Sequence, residues 1–333
     1  MKVRVNVCRP FSIAFPLTCA VLIAQPVAAQ ETPSDPPANL DAFVADVMAA
    51  FEVPGLAVAL VHDGRVVTAR GYGVRRVDHP EPVDEHTRFG IASNTKAFTA
   101  TALALLVEEE RLEWDAPVIR YLPWFQMWDP WVTREITVRD LLVHRSGLGL
   151  GQGDLLGWPP SDRTREEIVR AIRWLEPVTS FRSAYAYDNV LYHVAALVIE
   201  SVSGQTWEEF VRSRIVDPLG MSDTRVSRAS TREGGNHAVP HARVEGVVRP
   251  VRPFDATNTN ASGGINASAL DMATWLRVQL DSGRVEGTAR LFSPRTTAEL
   301  WSIVTPIPFG PPPPELAPLA RSFNGYGLGF FIR

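Results

Sequence analysis

A hydroxyl and an amine stand three residues apart at Ser93 and Lys96, in the string Phe89-Gly-Ile-Ala-Ser-Asn-Thr-Lys96. A serine oxygen is a weak nucleophile until a neighbouring base takes its proton, and a lysine removed from water can be that base. Arginine cannot replace it, because a guanidinium does not deprotonate in a protein. Of the 33 basic residues only Lys2 and Lys96 are lysines. A chain that relies on arginine elsewhere has kept an amine where chemistry, rather than charge alone, would require one. On a helix the two side chains share a face one turn apart, within reach of each other. A plain surface lysine has the same spacing, so the elements around the pair must decide between the two readings.

Those elements begin with a helix running from Ser93 toward Glu109, given apolar surface by Phe98, Leu103, Leu105 and Leu106. A serine in the first turn points into a cleft, its backbone N–H is free for an oxyanion, and the helix dipole favours developing negative charge. Upstream, Leu40, Phe43, Val44, Val47 and Met48 recur at helical spacing, and 55–62 and 66–72 read as strands joined by Asp63-Gly64, a strong hairpin signal. Downstream the apolar spacing predicts helical pieces at 138–143, 192–202, 207–215 and 270–280, a short hairpin within 244–251 and a buried strand at 326–332. Strands, then helices, then a strand predict an α/β (α+β) fold. Its antiparallel sheet would draw outer members from both ends of the chain, with a helical subdomain inserted and the active site between the layers.

Composition narrows the function. Residues 1–29 read as a signal peptide, with Lys2, Arg4 and Arg9 ahead of an apolar stretch and small residues before a cleavage point near Ala29. Residues 30–38 read as a polar, proline-rich linker, and 39–333 as one domain. The apolar run is short and contains Pro16, so stable membrane insertion is not expected. Both cysteines, Cys8 and Cys19, fall in the leader, which leaves a periplasmic or secreted product with no disulfide, thiol nucleophile or thiolate ligand. Removing the leader takes the net charge from −4 to −7, which argues against nucleic acid as a partner. His237 and His241 are four apart, but Pro240 and the absence of a His-Glu-x-x-His pattern argue against zinc, and no cofactor is expected. No Gly-x-Ser-x-Gly elbow marks an α/β-hydrolase.

Taken in order, the Ser93–Lys96 string, Ile136-Thr-Val-Arg-Asp-Leu-Leu-Val-His-Arg-Ser-Gly-Leu148, Tyr187-Asp-Asn189, Pro218-Leu-Gly-Met-Ser-Asp-Thr224, Ser262-Gly-Gly-Ile-Asn-Ala-Ser268 and Tyr326-Gly-Leu-Gly329 resemble the serine β-lactamase and penicillin-binding-protein superfamily. The branch they resemble is that of class C-like serine hydrolases, esterases and peptidases, and the likeness covers nearly all of the chain after the leader. The resemblance implies a β-lactamase/transpeptidase-like fold, Ser93 as acyl-forming nucleophile, and Lys96 or a Lys96-supported Tyr187 as its base. It also implies that Asn189 hydrogen-bonds Lys96 and a substrate amide, that Gln152 binds a substrate carbonyl, and that His144 is structural. The family's third motif, Lys-Thr-Gly or His-x-Gly on a strand lining the site, should follow Tyr-Gly-Leu-Gly, so the C-terminal strands are expected to be missing and the chain to be a fragment. The expected function is hydrolysis of a small-molecule or peptide ester, amide or β-lactam through a Ser93 acyl-enzyme. The alternative is a non-catalytic module that senses cell-wall peptides.

Overall fold

In the computed structural model, residues 35–232, 235–285 and 289–333 are described. The leader read at 1–29 lies outside them. Helix α1 (Leu40–Phe51) leads into strands β1 (Gly55–His62) and β2 (Arg65–Gly73), which pair antiparallel. Their turn is Asp63-Gly64, with φ of 47° and 72°, the left-handed geometry that matches the twist of a tight hairpin. Next come β3 (Phe89–Gly90), α2 (Thr95–Glu108), α3 (Pro130–Glu135), α4 (Arg165–Ala171), α5 (Val190–Ser203) and α6 (Trp207–Val211). A second hairpin, β4 (His241–Val244) and β5 (Val247–Pro250), precedes α7 (Asn260–Gly263), β6 (Asn266–Ala267) and α8 (Ala269–Leu280). The last elements are α9 (Pro294–Trp301), β7 (Thr305–Pro306), β8 (Gly325–Tyr326) and β9 (Phe331–Ile332).

Helix α2 is the axis of the core. Every residue from Thr95 to Leu106 is buried, Thr95, Lys96, Thr99 and Thr101 included. It packs against α5, α6, α7 and α9, while α8 covers the β1–β2 hairpin. Phe98 of α2 stacks on Trp275 of α8 with ring centroids 4.0 Å apart, tying the two groups of elements together.

The antiparallel strands and helices match the expected class, but three local expectations change. Among the described residues, β1 and β2 pair only with each other and β7, β8 and β9 form a separate sheet, so no single sheet draws strands from both ends. The stretch at 326–332 is not one strand. It turns between β8 and β9, with Gly327 N–H bonded to the Phe330 carbonyl at 2.8 Å. Gly329 has φ of +82°, and a Cβ there would lie 2.9 Å from the Lys96 carbonyl oxygen, so the motif's glycine lets this turn sit directly on α2. The piece at 138–143 is a short 3₁₀ turn, Arg139–Leu142, held by the carboxylate of Asp140 bonding back to Thr137.

Candidate active site

Ser93 lies in a 3₁₀ turn, Ala92–Asn94, that feeds directly into α2. Ala92 has φ of +46°, a left-handed conformation costly for a residue with a Cβ. The strained residue immediately before Ser93 makes a sharp entry to the helix and leaves the serine exposed at its mouth. One turn on, Lys96 is only 1% exposed.

The Lys96 amine has three oxygen neighbours. Its Nζ lies 3.1 Å from Ser93 Oγ, 2.7 Å from Asn189 Oδ1 and 2.9 Å from the Ser262 carbonyl. Each comes from a different part of the chain: the entry to α2, the residue before α5, and α7. Burial pulls the amine down to about 7, outweighing Asp188 and Asp154, which raise it, and Arg228 lowers it further. The Tyr187 ring lies under the amine, 4.7 Å from Nζ to centroid. Burial raises the Tyr187 phenol above its ordinary value; the neighbouring Ser93 opposes this, and Asp188 and Asp154 add to it.

Four of the five expected site residues, Ser93, Lys96, Tyr187 and Asn189, therefore converge. The fifth is engaged elsewhere. Gln152 Oε1 accepts from Gly149 N–H at 2.7 Å and its Nε2 donates to the Glu176 carbonyl at 2.7 Å, so this amide ties its glycine loop to the segment at Glu176. Asn189 also differs from expectation on one side. Its oxygen faces Lys96, but its Nδ2 donates to Asp154 at 3.0 and 3.1 Å rather than standing open to a substrate amide. No sequence feature singled out Asp154, a loop aspartate 35 residues from its partner. His144 is buried with the rings of Tyr187 and Tyr326 at 4.3 and 4.5 Å. Burial lowers its pKa, and its Nδ1 accepts from Asp188 N–H at 3.2 Å. Among the described residues no cluster of metal-ligating side chains occurs, and no helix is long and apolar enough to cross a membrane.

Helices packed with small antiparallel sheets, as here, are the β-lactamase/transpeptidase-like class of fold. The chain belongs to the Beta-lactamase family, whose model matches residues 40–327. Among curated proteins it is similar to an unguisins hydrolase of Aspergillus campestris, with 31% identity over 271 residues, 78% of this chain and 49% of that protein. It is also similar to the protein flp of Staphylococcus aureus, with 28% identity covering 74% of this chain and 50% of the relative. The chain thus spans about half the length of these curated relatives. Among solved structures it resembles the octameric penicillin-binding protein homologue from Pyrococcus abyssi, with a TM-score of 0.75, 28% identity, and coverage of 89% of this chain and 64% of the other. The D-amino acid amidase from Ochrobactrum anthropi follows, with a TM-score of 0.68, 26% identity, and coverage of 87% and 80%.

Proposed function

We propose that the chain is the acyl-transfer domain of a secreted serine hydrolase that opens ester, amide or β-lactam carbonyls through an acyl-enzyme on Ser93. The observation that carries this reading is the bond between Ser93 Oγ and a buried Lys96 amine at about 7. An amine with that value is substantially neutral near pH 7 and can accept the serine proton, as efficient general bases require. Ser93 Oγ attacks the carbonyl carbon as its proton passes to Lys96, directly or across the Tyr187 hydroxyl. The carbonyl π electrons move onto oxygen, and the backbone N–H of Ser93 at the helix entrance is placed to receive that charge. Collapse expels the alcohol or amine, which takes up the proton held by Lys96. Water then attacks the ester, its proton follows the same route, and Ser93 is regenerated with release of the acid. Two features favour Lys96 over Tyr187 as resting base: burial lowers the amine and raises the phenol.

The hydrolase and amidase relatives support this reaction class, and the leader read at 1–29 supports export to the periplasm or medium. An acylating serine probe is expected to label wild-type protein at Ser93, as located by peptide mass mapping, and to leave Ser93→Ala unlabelled. Equal labelling of the alanine variant contradicts the proposal. Saturable binding of cell-wall peptides without any Ser93-dependent turnover would instead favour a sensing module.

A further inference from the structure

The mechanism needs more than a neutral amine. A neutral lysine has two N–H donors and one lone pair, and the lone pair must face Ser93. Two of the three neighbours of Nζ can satisfy the donors: the Ser262 carbonyl at 2.9 Å and Asn189 Oδ1 at 2.7 Å. With both N–H groups so used, the third direction, toward Ser93 Oγ at 3.1 Å, is left to the lone pair. This assignment holds only while Asn189 presents oxygen. The two ends of a side-chain amide are nearly the same shape, and only the hydrogen-bonding surroundings distinguish them. Were the amide turned over, Nδ2 would donate to the lysine lone pair and take it from Ser93.

The neighbour that distinguishes the two ends is Asp154. An ionised carboxylate only accepts hydrogen bonds, and both its oxygens lie on Asn189 Nδ2, at 3.0 and 3.1 Å. We infer that Asp154 is a positioning residue for acylation: by accepting from Asn189 Nδ2 it holds Oδ1 on Lys96 and so leaves the lysine lone pair directed at Ser93. The inference rests on the Ser93–Lys96 reading above.

The carboxylate is held for this task. Its loop is fixed to the segment before α5 by Gly151 N–H donating to the Tyr187 carbonyl at 2.9 Å, and to the segment at Glu176 by the Gln152 clamp on Gly149 and Glu176. Gly153 has φ of +92°, and a Cβ there would meet Val190 of α5 at 3.1 Å, so the chain lies close against the helix that Asn189 begins. Asp154 also adds charge. It and Asp188 raise Lys96, against burial and Arg228 from the segment before β4. Lys96 is also faced by the rings of Tyr187 and Tyr192 and acts on the buried His144 and His193. Of these groups only Asp154 touches the free end of the Asn189 amide.

Asp154→Asn is the discriminating variant, since a carboxamide can present either end to Asn189 and carries no charge. Probe acylation at Ser93 is expected to slow about 10- to 100-fold, the cost of a small misplacement of a reacting group. The acidic limb of its pH profile should move below the wild-type position near 7, because a negative charge that raises Lys96 is gone. In an Asn189→Ala background the same change should alter the rate by no more than about two-fold, as expected when one residue acts through the other. An unchanged rate and limb, or the same slowing with and without Asn189, would overturn the inference in favour of a role in loop structure alone. Should the variant fail to fold, solvent exchange of the Asn189 side-chain N–H₂ in wild-type protein decides: slow exchange supports the lock, and exchange at the rate of a free asparagine overturns it. Failure of wild-type protein to label at all rejects the Ser93 reading itself, while this exchange measurement still judges Asp154.

Discussion

Two side chains in this molecule bury charge of opposite sign, and their surroundings lead to opposite results. Asp140, fully buried, accepts from Arg145 Nε at 2.8 Å, Arg182 Nη2 at 2.6 Å and the Thr137 N–H at 3.0 Å. Burial alone would raise its pKa, but the Arg182 bond, the Thr137 N–H and Arg145 outweigh it, and the carboxyl is held below its ordinary value. Lys96 is as deeply buried, yet every atom bonded to its amine is a neutral oxygen. The carboxylates that act on it raise it too little to offset burial, and it falls to about 7. A buried charge met by ions is locked in one state and holds structure; one met by neutral acceptors is poised between two states and can move a proton. Asp140 fastens the segment carrying His144 and Gly147, whereas Lys96 faces Ser93, the proposed nucleophile.

The largest effect expected from breaking this contrast is at Lys96. Lys96→Arg keeps a positive charge and removes the group that can give up its proton and act as a base, so Ser93 acylation should fall by about 10²- to 10⁴-fold, the usual worth of a general base, in protein whose circular dichroism is unchanged. Next comes Asp140→Asn, which leaves two arginines short of their partner. Urea unfolding should register a loss of about 3 kcal/mol, at the low end for a broken buried pair because both arginines are partly exposed. The acidic limb of acylation in the remaining folded protein should not move, since Asp140 is not among the groups acting on Lys96.

A smaller effect separates the two by pH. The Lys96 pKa is lowered on folding, so between about 7 and its unfolded value of 10.5 the unfolded chain holds a proton that the folded chain has released. Stability should therefore rise with pH across that window in wild-type protein relative to Lys96→Met. For Asp140, whose folded pKa lies below its unfolded 3.8, the contribution is present above that value and lost as pH falls through the folded pKa. Urea titrations at several pH values that show no alkaline gain for wild type over Lys96→Met would remove the lysine half of the comparison. The smallest effect is away from both sites. Thr164 and Glu167 form a reciprocal capping box on α4, and Thr164→Ala should cost about 1 kcal/mol of stability with acylation unchanged.

The residues that converge on Lys96 were the legible ones. Ser93 and Lys96 are linked by helical spacing, which a sequence displays directly, and Tyr187 and Asn189 came with a motif whose order along the chain is distinctive. What escaped depends on contacts without local periodicity. Asp154 meets Asn189 only because a loop folds back on α5, and Gln152 is drawn to the backbone of Gly149 and Glu176. The turn within 326–332 looked like a strand because its residues are mostly apolar, while the reason for Gly329 lies on α2, more than two hundred residues away. Helices α4 and α9 were passed over although each carries a readable start, the Thr164–Glu167 box and Ser293 capping ahead of Pro294. Both are short, at 7 and 8 residues, and offer too few turns for a convincing apolar stripe.

The most direct test of a poised Lys96 is the rate of Ser93 acylation by a non-ionising probe, measured by mass spectrometry across pH 5 to 9 under conditions where the fold is intact. A single acidic limb centred near 7, absent from Lys96→Arg, is the expected result. A wild-type rate that is flat across this range, or a limb that persists unchanged in the arginine variant, would contradict the account.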